Sequence, residues 1–145
     1  MDVKKLDHVG LVVADIEKAI ETCETLLGLK VSHREENTLH GVTLAFLPMG
    51  DTTLELLEYA PGEPKTPISK YLREQGHGGP HIAIEVTGIV DQVAKLKAAG
   101  VPFLGDPPQP GSRGSTIAFF HPDVTNGLLT ELVEHPSGSE WASKE

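Results

Sequence analysis

The chain has 145 residues, 23% charged and 39% hydrophobic, an ordinary globular mixture with apolar material for one core or two very small ones. A formal net charge of −9 argues against a nucleic-acid binder, which needs a basic footprint, and no apolar run approaches the ~18 residues of a spanning helix. The single cysteine rules out an intrachain disulfide, and Met1-Asp2-Val3-Lys4-Lys5 lacks the apolar core of a signal peptide, so a cytoplasmic protein without membrane partners is expected.

In chain order, alternation and turn residues predict a strand over Leu6–Val13, a helix over Ile16–Leu27, and strands over Lys30–Asn37, Val42–Pro48 and Thr52–Tyr59. A turn-rich linker, Ala60-Pro61-Gly62-Glu63-Pro64-Lys65, leads to a short helix over Thr66–Gln75, and Gly76-His77-Gly78-Gly79-Pro80 marks the end of the first half. The second half reads as a strand over His81–Val86, a helix over Ile89–Ala99, a possible short strand over Pro102–Leu104, a loop from Pro107 to Gly114, and strands over Ser115–Phe120 and Leu128–Glu134. A frayed tail is expected after His135. Cys23 falls in the first helical pattern and reads as a small buried hydrophobe; a catalytic thiol is the weaker alternative, since no histidine is near it in sequence.

The two halves repeat. Asp7-His8-Val9-Gly10-Leu11-Val12-Val13 and Pro80-His81-Ile82-Ala83-Ile84-Glu85-Val86 each precede a helix that ends at a glycine, Gly28 or Gly100. Ala45-Phe46-Leu47-Pro48 resembles Ala118-Phe119-Phe120-His121-Pro122, and Leu54-Glu55-Leu56-Leu57-Glu58 resembles Thr130-Glu131-Leu132-Val133-Glu134. His8 and Glu55 are 47 positions apart and His81 and Glu131 are 50 apart, so a histidine and a glutamate recur at corresponding places. The predicted organisation is a single domain of two tandem βαβββ modules, about 5–60 and 80–135, joined by a linker with a short helix over 61–79 and followed by a tail, 136–145.

Strand side chains alternate faces, so Val9, Leu11 and Val13 share one side of the first strand while His8, Gly10 and Val12 share the other. Ile82, Ile84 and Val86 likewise oppose His81, Ala83 and Glu85. The branched face suits packing under a helix, and each histidine has only Gly10 or Ala83 beside it, which leaves room for a ligand. Glu55 and Glu131 stand in apolar strands, where a carboxylate is either solvent-facing or paired with something positive. A lone strand histidine or glutamate is more often a satisfied or solvated side chain. Two of each in register with a repeat point instead to His8, Glu55, His81 and Glu131 around one divalent metal. Glu58 and Glu134, at opposite parity, read as solvated. His33, His40, His77 and His135 read as ordinary histidines in turns, loops or the tail, and His121 before Pro122 as a turn residue.

These stretches resemble the vicinal oxygen chelate (glyoxalase/bleomycin resistance/dioxygenase) superfamily and, within it, the methylmalonyl-CoA epimerase family, from Asp7 to about Glu134. The resemblance rests on Asp7-His8-Val9, His33-Arg34-Glu35-Glu36-Asn37, His40-Gly41-Val42, Leu54-Glu55-Leu56-Leu57, Pro67-Ile68 with Tyr71-Leu72, and His81-Ile82-Ala83. It rests too on Gly111 with Gly114, Phe120-His121-Pro122 and Gly127-Leu128-Leu129-Thr130-Glu131-Leu132. It implies an α+β fold whose modules curl as one mixed sheet, a cup around the metal, with His8, His81 and Glu131 as ligands and Glu55 where relatives place a Gln or Glu ligand. The chain departs from many members with Pro80 before His81, a non-ligand position, and with Leu44 where some carry a catalytic glutamate. The implied activity is epimerisation of the (R) and (S) forms of an acyl-CoA, methylmalonyl-CoA, through a metal-stabilised enolate, with Glu131 and Glu55 as acid–base groups and the protein often a homodimer. The implied cofactor is one divalent ion, Co(II) ahead of Zn(II), Mn(II) or Ni(II). Arg113, in Gly111-Ser112-Arg113-Gly114, is a candidate for the CoA phosphate or the substrate carboxylate, a solvated loop arginine being the alternative. A glyoxalase I-type lyase, a ring-cleaving dioxygenase and a metal-free binding module of the same fold are the competing readings.

Overall fold

The computed structural model describes residues 1–75 and 80–144; residues 76–79, with His77, and residue 145 lie outside it. Two compact units emerge: an N-terminal unit, His8–His81, and a C-terminal unit, Ile82–Glu145 together with Met1–Asp7. No helix among the described residues is long and apolar enough to cross a membrane.

The N-terminal unit is built from β1 (Asp2–Val12, from His8 onward), α1 (Ile16–Leu27), β2 (His33–Asn37), β3 (Val42–Met49) and β4 (Thr52–Tyr59), with α2 (Pro67–Gln75) following. Its strands lie in the order β2-β3-β4-β1, with β1 parallel to β4 and the other pairs antiparallel. Helix α1 starts at Asp15, whose carboxylate accepts from the Lys18 N–H at 3.1 Å, and stops at Gly28, left-handed at φ 68°. Its apolar stripe, Ile16, Ile20 and Cys23, packs on Ala45, Leu47, Leu54 and Leu56. Burying each leucine there contributes roughly 1.5–3 kcal/mol. Cys23 belongs to this stripe, and burial pushes its thiol pKa up, as a structural cysteine requires. Helix α2 opens with a reciprocal cap, Thr66 Oγ1 accepting from the Ser69 N–H at 3.1 Å and Ser69 Oγ from the Thr66 N–H at 2.8 Å.

The C-terminal unit repeats the plan with β5 (His81–Thr87, from Ile82 onward), α3 (Ile89–Ala98), β6 (Gln109–Pro110), β7 (Thr116–Phe119) and β8 (Thr130–Glu134). Its order is β5-β8-β7-β6, with β5 parallel to β8. Ile89 and Val93 of α3 pack on Val86, Ala118 and Leu132, with Ile84, Phe103 and Phe120 at the edge.

Several elements differ from the sequence expectation. Strand β1 reaches back to Asp2, and β2 starts at His33 rather than Lys30. The region 102–104 makes one bridge, Phe103 to Phe120, instead of a strand. The expected loop over 107–114 contains β6, where Pro110 sits in an edge strand that needs no further donor, and a 3₁₀ turn over Ser112–Gly114. The tail is tied down: the Ser143 N–H and hydroxyl both donate to the buried Glu85 carboxylate, the N–H at 2.8 Å.

Candidate metal-binding site

In each unit one sheet face lies under the helix, so the opposite face decides what the site contains. Leu54 and Leu56 of β4 belong to the α1 core; Glu55 and Leu57 therefore point to the other side, with His8 and Gly10 of β1 and Leu44 and Phe46 of β3. The register pairs Gly10 with Glu55 on one side and Phe46 with Glu55 on the other. In the C-terminal unit Leu132 packs under α3, so Glu131 points away from it, between Ala83 of β5 and Phe119 of β7. The two glutamates thus occupy the same node of the same three-strand ladder. Leu44 shares the face of Glu55 and pairs with Leu57; both are buried, so the position is apolar here.

The N-terminal unit brings three of the expected ligands together. His8 Nε2 lies 3.4 Å from His81 Nε2, with the rings edge to face at 5.4 Å between centroids. Glu55 Oε2 lies 3.3 Å from His8 Nε2. All three side chains are buried, and Glu55 Oε2 has no hydrogen-bond partner among the described residues despite its closeness to the imidazole. A buried carboxylate oxygen left without a donor is costly, and a cation relieves it. Two imidazole nitrogens converging beside such an oxygen form a donor set that suits a divalent first-row metal. Gly10 makes the arrangement possible: a Cβ built on it would stand 2.0 Å from Cε1 of His81, so only glycine lets the ring lie over β1. The fourth expected ligand, Glu131, is buried in the C-terminal unit.

Arg113 is not a solvated loop side chain. It is buried in the C-terminal unit, where its Nη2 donates to Asp7 Oδ2 at 2.9 Å. His135, expected near a frayed tail, is buried beside it; its Nε2 is 2.8 Å from Asp7 Oδ1, and because a carboxylate only accepts, that nitrogen carries the proton. Parity gave a usable signal for His135, two positions beyond the buried Val133 on the same strand line. Asp7, an acid inside β1, meets the guanidinium of Arg113, which lies 106 positions away in the sequence.

Glu58 and Glu134 are corrected as well. Both are half-buried and bonded: Glu58 accepts from the Ile16 N–H at 2.9 Å, and Glu134 accepts from the Gly88 and Ile89 N–H groups at 3.0 and 3.1 Å. Each carboxylate therefore caps the helix of its own unit. His40 is buried against Thr66, Nδ1 to Oγ1 at 2.7 Å, and His33 meets Glu35 at 2.9 Å. His121 keeps the expected turn role, accepting from the Asp123 N–H at 3.2 Å.

The chain matches the model of the Glyoxalase/Bleomycin resistance protein/Dioxygenase superfamily over residues 7–119. It is 34% identical over 131 residues to the mitochondrial methylmalonyl-CoA epimerase of Dictyostelium discoideum, covering 90% of this chain and 78% of that one. It is 36% identical over 132 residues to the ethylmalonyl-CoA/methylmalonyl-CoA epimerase of Cereibacter sphaeroides, covering 90% and 97%. A Streptomyces coelicolor methylmalonyl-CoA epimerase variant in complex with 2-nitronate-propionyl-CoA superposes with a TM-score of 0.78 at 33% identity, covering 94% of this chain and 97% of that one. With a mixed α and β fold of the same kind, this chain belongs to the methylmalonyl-CoA epimerase family of the glyoxalase superfamily.

Proposed function

We propose that the chain is an isomerase that interconverts the (R) and (S) forms of methylmalonyl-CoA with one divalent cation held by His8, Glu55, His81 and Glu131. The observation that carries the reading is the Glu55 Oε2 atom, without a hydrogen-bond partner among the described residues and buried beside His8, whose Nε2 faces that of His81. Glu131 enters the set because it holds the ladder position in its unit that Glu55 holds in the other. Bound there, the cation supplies Lewis-acid stabilisation of negative charge on the thioester side of the substrate.

The remaining chemistry belongs to the carboxylates. The α-carbon of methylmalonyl-CoA lies between a thioester and a carboxylate, so its proton is weakly acidic. Inversion removes that proton on one face and returns one on the other, which two groups accomplish most simply. Glu55 and Glu131, on matching strands of the two units, are assigned these parts, one removing the proton from one face and the other then returning a proton to the opposite face, each serving as ligand and as acid–base group in turn. The apolar Leu44 and Leu57 near Glu55 exclude water and keep the carboxylates the available proton carriers. The finer parts of the proposal are Co(II) and a homodimer, both supported by the family resemblance, and a cytoplasmic setting.

The test is α-proton exchange of methylmalonyl-CoA in D₂O, followed by NMR, with metal-loaded and chelator-stripped protein compared. Fast exchange that needs the metal is expected. No exchange above background with metal demonstrably bound would sink the epimerase reading and move the search to glutathione hemithioacetals.

A further inference from the structure

The reaction above makes no use of the buried group Asp7, Arg113 and His135, all within the C-terminal unit. The Asp7 carboxylate accepts from Arg113 Nη2 on Oδ2 at 2.9 Å and from His135 Nε2 on Oδ1 at 2.8 Å. The side chains of Arg113, Asp7 and His135 are 4%, 3% and 0% exposed, so these contacts are held out of water, where an ion pair resists rearrangement most. Asp7 is joined to His8 by one peptide bond, and alternation sends the two side chains to opposite faces of β1. His135 follows β8 directly, four residues beyond Glu131. Arg113 adopts a left-handed backbone, φ 59° and ψ 30°, which a residue with a side chain rarely takes and which needs strong surroundings to persist.

We infer that Arg113 and His135 are positioning residues for the metal site, acting through Asp7. The carboxylate clamps the start of the strand that presents His8 to the end of the strand that carries Glu131 and to the 3₁₀ turn at Arg113. The Asp7 side chain leaves β1 on the face opposite His8, so the clamp acts on the backbone that carries the ligand and adds no ligand of its own. This inference rests on the proposed metal site and concerns residues outside the ligand set.

The experiment titrates Co(II) into chelator-stripped full-length protein, by competition with a chromophoric chelator, for wild type, Arg113→Met, Arg113→Lys and His135→Gln. Far-UV circular dichroism checks folding, and kcat and KM for α-proton exchange are measured beside it. Arg113→Met is expected to weaken Co(II) binding at least tenfold and to lower kcat with KM unchanged. Arg113→Lys should recover most of the affinity, and His135→Gln, whose amide can still donate to Asp7, should lose less than Arg113→Met. Unchanged Co(II) affinity in folded Arg113→Met overturns the inference. A tenfold rise in KM at unchanged affinity also overturns it, and makes Arg113 a substrate contact instead. Should Arg113→Met not fold, His135→Gln decides: at least threefold weaker Co(II) binding supports the clamp and wild-type affinity refutes it. Wild-type protein that binds Co(II) yet exchanges no α-proton sinks the epimerase reading alone, and the titrations still judge the clamp.

Discussion

In the N-terminal unit the residue paired with Glu55 is Gly10; in the C-terminal unit the residue paired with Glu131 is Ala83. The units share strand order, parallel pairing and the phenylalanine on the far side of each glutamate, Phe46 or Phe119. They part at the one atom that separates glycine from alanine. The ring of His81 occupies the volume where a Gly10 side chain would be. A duplicated framework is thus not symmetric in detail: the first module gives up a side chain so that the His81 ring can lie over β1, beside His8.

The glutamates test how far the equivalence goes. If Glu55 and Glu131 serve opposite faces of the substrate, Glu55→Gln and Glu131→Gln should each lower epimerisation by about 10²–10⁴-fold, the usual range for loss of an acid–base group. Each variant should still exchange the α-proton of one stereoisomer in D₂O without inverting it, and the two variants should prefer opposite stereoisomers. Loss of exchange with both stereoisomers in one variant and neither in the other would assign all proton transfer to a single carboxylate and break the comparison at its centre.

The glycine–alanine difference predicts the next largest effect. Gly10→Ala places a methyl group where His81 now sits, with no room to yield inside a buried cluster, so Co(II) affinity should fall at least tenfold. The reciprocal change, Ala83→Gly, removes a side chain from a strand interior and should cost about 0.5–1 kcal/mol in urea stability with metal affinity unchanged. Equal metal affinities for Gly10→Ala and wild type would show that His81 does not need its present seat.

Why these residues and not others were legible in the sequence follows from range. His8, Glu55, His81 and Glu131 announced themselves through a repeat and a period of two, both visible in one dimension, and the register pairs Glu55 with Gly10 and Glu131 with Ala83. The helix limits at Gly28 and Gly100 were legible for the same reason, since left-handed turns favour glycine, and both residues have positive φ. Arg113 and His135 are 106 and 128 positions from Asp7, and nothing local pairs them. Glu58 and Glu134 misled because parity states which face a side chain leaves by and not what waits there. In both units it is the start of a helix, brought by the crossover between two parallel strands. The two-residue strand at Gln109–Pro110 is too short to carry a period at all.

Those caps give the smallest and most discriminating contrast between the units. Helix α1 has two carboxylates at its start: Asp15 takes the Lys18 N–H and Glu58 takes the Ile16 N–H. Helix α3 begins at Gly88, which has no side chain to offer, and Glu134 takes both the Gly88 and Ile89 N–H groups. Removing a hydrogen bond of this kind costs about 1 kcal/mol. Glu134→Ala should therefore destabilise by about 2 kcal/mol and Glu58→Ala by about 1 kcal/mol, read from urea midpoints at constant m-value. Asp15→Ala combined with Glu58→Ala should bring α1 to the loss seen for Glu134→Ala alone. Equal costs for the two single glutamate variants would mean that Asp15 does not share the work of Glu58, and that the two helices are held to their sheets by the same single carboxylate in spite of their different first residues.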